Sequence, residues 1–293
     1  MADRMPYREF DMLPDAPLRI ENAVLDIRFA SGELTLSHEA VLAWLTASAR
    51  AVSIYYGRFP ASKPRILIVP VAGHGVQKAQ AFGYRGPAIR LMVGADTTEA
   101  DLKDDWKAVH EMIHLALPDV GDEHLWLSEG LAVYVESIAR VQAGDLTEQK
   151  IWSDFVRDMP KGLPAPGDQG LDFTHTWGRT YWGGAIFCLL ADVELRRLTN
   201  NKIGLQQAMR GVLNAGGTHD QDWPIERVLE LADNATGTHV MARLYDKMRA
   251  DPVSPDLTLL WEQLGVARKD GAVALDSAAP LAAVRNAIVS MQR

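Results

Sequence analysis

His110-Glu111-Met112-Ile113-His114 decides the reading of this chain, together with Glu129, fifteen residues past the second histidine in Trp126-Leu127-Ser128-Glu129-Gly130. Two imidazoles four residues apart on a helix project from the same side, one turn apart, so both can reach one zinc ion. Glu111 stands between them, beside the metal without having to bind it. That is the place for a general base acting on a metal-activated water. Glu129 supplies a third protein ligand and leaves a fourth position for the water. The pattern points to a zinc hydrolase, with peptide-bond cleavage as the first reading.

The flanking residues agree with helices at both places. Asp96 followed by Glu99 reads as an N-cap with its capping-box partner. Leu102, Trp106, Val109, Ile113 and Leu117 then form one apolar stripe that Pro118 ends. His110 and His114 fall off that stripe with Lys103 and Lys107, on a face able to look into a cleft. The plainer alternative is two histidines satisfied on an ordinary helix. Ser128 reads as the cap of a second helix, with Leu131, Val135 and Ile138 as its stripe and Gly144 as its stop. Pro118 to Leu125 is then a loop that lets the two helices fold back on each other and brings Glu129 to the histidines. Glu136, two turns beyond Glu129, is read as lining the cleft, supporting the site or simply solvated.

His110-Glu111-x-x-His114 with Trp126-Leu127-Ser128-Glu129-Gly130-Leu131-Ala132 resembles the gluzincins, the metallopeptidases of the MA clan whose third ligand is a glutamate. It is similar to the aminopeptidase N and glycyl aminopeptidase families. Tyr181-Trp182-Gly183-Gly184-Ala185, followed by Leu189-Leu190-Ala191-Asp192, looks like the Tyr-x-x-Gly helix of those families. The resemblance spans roughly residues 40 to 200. It implies that Tyr181 acts with Glu111 in catalysis, its hydroxyl steadying the oxyanion. It also implies an α+β, gluzincin/thermolysin-like catalytic fold, with a small N-terminal mixed sheet followed by a mainly helical lobe. Residues 1–98 would form the β-rich lobe and 99–293 the helical lobe, together one catalytic unit. Two departures stand out. The aminopeptidase N relatives carry a glutamate for the substrate amine on a strand that should correspond to Ala88 to Gly94, and this chain offers Arg90 there instead. Thermolysin-like enzymes brace a histidine with an aspartate four residues after the third ligand, where this chain has Val133.

Composition sets the outer limits. With 293 residues, 47% of them apolar, the chain can bury a large core. A formal charge of −8 argues against a nucleic-acid partner, whose phosphates need a basic surface. No apolar run is long enough to span a membrane. The single cysteine, Cys188, excludes an internal disulfide and a thiolate zinc cluster, and it reads as a small buried residue. Met1 to Phe10 lack the apolar stretch of a signal peptide, so the compartment is open between the cell interior and export after loss of a leader. The expected partner is a peptide or small peptide-like substrate, and the oligomeric state is open.

Along the rest of the chain, residues 1–20 read as an irregular arm. Ala23 to Phe29 read as a strand and Glu33 to Leu36 as a short return strand. A helix follows over Ser37 to Tyr56, then a strand over Arg65 to Val71, a glycine-rich loop over 72–87 and a strand over Ala88 to Val93. By the gluzincin resemblance that last strand would be the sheet edge along the cleft, open to an extended substrate; a paired internal strand is the alternative. His74 reads as a loop histidine and His175 as a weaker polar candidate. Asp192 and Arg196 form an i, i+4 pair. Helices are expected near 202–214, 223–234, 238–249, Leu257 to Leu264 and Pro280 to Met291, with a short strand from Gly271 to Leu275. The reading is peptide hydrolysis by a Zn2+ ion on His110, His114 and Glu129. The rivals are hydrolysis of a non-peptide amide or related bond, and a catalytically quiet binding protein of the same fold.

Overall fold

The computed structural model describes residues 4–269 and 272–291. Two compact units emerge: residues 1–119 with 218–221, and residues 120–217 with 222–293. The architecture is α+β, a small N-terminal mixed sheet followed by a mainly helical part.

The first unit runs α1 (Tyr7–Met12), β1 (Asp15–Ile20), β2 (Ala23–Phe29), α2 (His38–Tyr56), β3 (Arg65–Val71), β4 (Val76–Phe82), β5 (Ala88–Gly94), α3 (Glu99–Asp104) and α4 (Lys107–His114). The sheet order is β1-β2-β3-β5-β4. The long α2 crossover makes β2 and β3 parallel, β3 and β5 are also parallel, and hairpins add antiparallel β1 and β4 at the two edges. The register aligns Ile27, Ile66 and Ile89 on one face, all fully buried. The opposite face aligns Arg28, Leu67 and Arg90, and the N-terminal Met5, Tyr7 and Phe10 pack against it. Arg90 spends its guanidinium there, donating to the Arg4 carbonyl at 2.8 Å and to Gln80 Oε1 at 3.3 Å.

Several sequence expectations need correcting. The expected irregular arm over residues 1–20 holds α1 and β1 among its described residues, and residues 1–3 lie outside the described residues. Pro17 is tolerated in β1 because β1 is an edge strand, where a missing N–H costs little. Residues 72–87 are not simply a loop. Their glycines flank β4, whose polar residues face outward from an edge. Consequently β5 is internal, paired on both sides, and the edge beside it is β4. Glu33 to Leu36 form no strand; a backbone bond from Thr35 N–H to the Ala95 carbonyl, 2.8 Å, holds that stretch. The first compact unit runs on to Asp119, with α4 packed on α2, β4 and β5.

The second unit opens with a 3-10 turn (Asp122–His124) that runs straight into α5 (Leu125–Ala143), followed by α6 (Glu148–Asp158) and a 3-10 turn (Met159–Gly162). A π-helical segment (Gly178–Gly183) leads into α7 (Gly184–Leu198). Then come α8 (Leu205–Asn214), α9 (Ile225–Thr236), α10 (Val240–Met248), α11 (Leu257–Leu264), the hairpin β6 (Val266–Lys269) and β7 (Ala272–Leu275), and α12 (Ala282–Val289). Strand β6 was missed by the sequence reading, and Gly271, expected to open β7, lies outside the described residues. α5 and α7 are the central pair. Between them lies a buried polar knot on Asp192, whose carboxylate accepts from Tyr134 Oη at 3.0 Å, Arg196 Nε at 2.8 Å and Leu205 N–H at 3.0 Å. A buried carboxylate persists only when its lone pairs are filled in this way. Cys188 is fully buried in α7, and burial pushes its thiol up, as expected of an inert core residue.

Candidate metal centre

The helix that carries the motif is built differently from its sequence pattern. Thr98, not Asp96, caps α3, and Asp101, not Glu99, closes its capping box. The apolar stripe then runs through a break. Asp105 is extended, and its carboxylate takes the Ala108 N–H at 3.0 Å, starting α4 afresh. Trp106 is thereby turned out of the core, while Val109, Ile113 and Leu117 stay in it.

Within α4, His110 and His114 are both buried, and their ring centroids lie 4.9 Å apart with the planes at 83°. Glu111 is buried between them in sequence. The Trp106 indole stands edge-on to His110 at 5.2 Å. His219 approaches from a remote part of the sequence. Its ring lies 6.3 Å from that of His114, and it is driven to a pKa of about 4, first by burial and then by His114. The sequence reading missed His219. It sits in a polar loop after Gly216-Gly217, and no local pattern links it to a helix a hundred residues earlier.

Glu129 lies in the second turn of α5, because the helix starts at Leu125 and Ser128 is not its cap. Its placement depends on two features of the second unit. The first is a backbone contact: a Cβ on Gly130 would fall 2.2 Å from the Gly184 carbonyl carbon, and a Cβ on Gly184 would fall 1.9 Å from the Trp126 carbonyl oxygen. Only glycine at both positions allows α5 to touch the start of α7. The second is Asp172, a buried carboxylate that accepts from Trp126 Nε1 at 2.8 Å and Tyr245 Oη at 2.9 Å and is hydrogen-bonded with His124 Nδ1 at 3.1 Å. Burial, then the bond to Asp172, pushes the Tyr245 phenol up. Asp172 thus ties the loop after residue 170 to the first turn of the Glu129 helix. Sequence gave no sign of it, since a single aspartate in a loop has no pattern.

Tyr181 is half-buried and sits in the π-helical segment rather than at the start of an α-helix. π-Segments are rare and re-aim side chains, frequently at functional sites. The Trp177 indole, itself mostly exposed, stacks on the Tyr181 ring at 5.8 Å and 25°. His175 is exposed. Glu136 is buried and ion-paired with Arg140 at 2.9 Å, so it is not a solvated helix glutamate.

One donor atom from each of His110, His114 and Glu129 lies within 4.8 Å of the others. Two imidazole nitrogens and a carboxylate oxygen are the borderline donors that suit zinc, which binds them at about 2.0–2.2 Å. In its chemistry the donor set fits the metal.

Comparison with known proteins places the fold in a class. No protein-family model matches the chain, and no curated protein matches its sequence. Among solved structures it is similar to M1 zinc metallopeptidases. One is an aminopeptidase N family protein from Idiomarina loihiensis, with 14% identity, a TM-score of 0.62, and 87% of this chain and 49% of that one covered. Another is a mutant M1 zinc metallopeptidase from Deinococcus radiodurans bound to a Tyr-Ser-Ala substrate, with 15% identity, a TM-score of 0.52, and 83% and 52% covered. A two-domain M1 zinc metallopeptidase mutant bound to L-arginine matches at 16% identity with a TM-score of 0.52, covering 83% and 52%. This chain therefore spans about half the length of these proteins. The fold is M1-peptidase-like. Among the described residues no helix is long and apolar enough to cross a membrane.

Proposed function

We propose that this protein is a zinc-dependent peptidase of gluzincin type, with His110, His114 and Glu129 as metal ligands. The observation that carries the reading is the convergence of those three donors within 4.8 Å. The similarity of the fold to M1 zinc metallopeptidases supports it. Three protein ligands leaving a fourth position are the pattern of catalytic rather than structural zinc. Bound there, zinc would polarise the scissile carbonyl and lower the pKa of water towards about 7. Glu111 takes the proton of the attacking water on its carboxylate and later delivers it to the leaving amine nitrogen. Tyr181 donates its hydroxyl hydrogen to the carbonyl oxygen as negative charge develops there. A purely structural metal site would have no use for a carboxylate at position 111.

The chemistry of the site and the Tyr-Ser-Ala bound in one similar protein support a peptide substrate. The test is a peptide-library digest by purified protein, with chelator and with zinc restored. Peptide cleavage should vanish with chelator and return with zinc. Glu111→Gln should keep its zinc and lose nearly all turnover. Full turnover in Glu111→Gln would remove Glu111 from the base role. A library left intact while a small non-peptide amide is hydrolysed would replace the peptide substrate by that class.

A further inference from the structure

Thr218–Gln221 belong to the first unit, although Gly217 before them and Asp222 after them belong to the second. The four residues form a turn in which Gln221 N–H donates to the Thr218 carbonyl at 2.9 Å. The turn is pinned to the chain just beyond α4. Asp119 N–H donates to the Gln221 carbonyl at 2.8 Å. The His219 imidazole lies beside the backbone of Leu117. On its other side, the His219 carbonyl oxygen lies 1.9 Å from where a Cβ on Gly83 would stand, so the loop after β4 closes against the turn with no room for a side chain.

The consequence lies at the end of the metal-binding helix. His114 is the last residue of α4. The final carbonyls of a helix have no partner within it, and unsupported ends fray. Leu117 N–H donates to the His114 carbonyl at 3.2 Å, and the His219 imidazole lies beside the Leu117 backbone. A ligand in the last turn of an eight-residue helix is the one most exposed to fraying. The His219 ring also packs beside the His114 ring, planes inclined by 33°.

We propose that His219 is a positioning residue for the metal ligand His114, holding the last turn of α4 through Leu117 and packing beside the ligand ring. This rests on the reading of His110, His114 and Glu129 as a zinc site and adds the group that orients one of its ligands. Partners of this kind, which act on a metal only through a ligand, typically change metal affinity about 10- to 100-fold when removed.

The test measures zinc affinity by chelator competition, and the visible spectrum after cobalt substitution, in wild type, His219→Ala, His219→Asn and His219→Gln. The two amides keep a donor at different reach. His219→Ala should bind zinc about 10- to 100-fold more weakly and shift the cobalt spectrum, and one amide should recover most of both. Should His219→Ala not fold, His219→Phe, which fills the space but cannot donate, takes its place against the better amide. Zinc affinity and cobalt spectrum unchanged in the donor-free variant overturn the proposal. A wild type that takes up no zinc overturns the metal-site reading itself, and this role with it.

Discussion

Gly130→Ala separates packing from helix propensity at the residue next to Glu129. Alanine in place of glycine inside a helix normally stabilises by about 1 kcal/mol. Here the new methyl would stand 2.2 Å from the Gly184 carbonyl carbon, 2.3 Å from its Cα and 2.6 Å from Ala185 N, all backbone atoms of the neighbouring helix. Ordinary contact begins at 3.4 Å, so α5 and the start of α7 must part by about 1.2 Å. Overpacking of this kind costs roughly 1–3 kcal/mol or more, enough to reverse the propensity gain. The movement falls on the turn of α5 that holds Glu129 and on the helix that continues from Tyr181. A misplacement of about 1 Å at reacting groups can cost on the order of 100-fold in rate. Thermal unfolding and kcat/KM, measured with zinc in excess, provide the assay. The variant should melt lower than wild type and lose about two orders of magnitude in kcat/KM. A raised Tm with intact activity would mean that propensity alone governs the site and that the close contact is not what places Glu129.

Three further outcomes are expected. Tyr181→Phe should lower kcat about 10²- to 10³-fold with unchanged zinc content, and an unchanged rate would show that another group holds the oxyanion. Asp172→Ala strands the Trp126 N–H and Tyr245 O–H in the interior and should cost about 3–5 kcal/mol in a denaturant titration; a loss under about 1 kcal/mol would show that the cluster is not a support of α5. Cys188, fully buried with its thiol pushed up, should resist alkylation at pH 8 in the folded protein and react fully once unfolded, as read by mass spectrometry. Rapid labelling of folded protein would contradict its burial.

What the sequence disclosed, and what it withheld, follows the range of the interactions involved. His110 and His114 could be paired from spacing alone, because one helical turn is a local rule. The helix over 38–56 and the strands over 65–71 and 88–94 were legible because each is a long apolar pattern. β4 was not, since an edge strand carries polar residues outward and glycines flank it. The break at Asp105 was hidden because the apolar stripe continues through it, and only the capture of Ala108 N–H shows that the helix restarts. The internal position of β5 depends on where the β4 hairpin folds back, which no local pattern fixes. Asp172 and His219 were invisible for the same reason. Each acts through partners 48 and 105 residues distant, His124 and His114 respectively.

Zinc counting across ligand variants tests the central claim most directly. Purified wild-type protein should carry a single zinc per chain by elemental analysis. His110→Ala, His114→Ala and Glu129→Ala should each lose it under the same dialysis, with far-ultraviolet circular dichroism unchanged. Wild-type protein free of zinc after reconstitution, or folded Glu129→Ala that holds the metal as tightly as wild type, would contradict it.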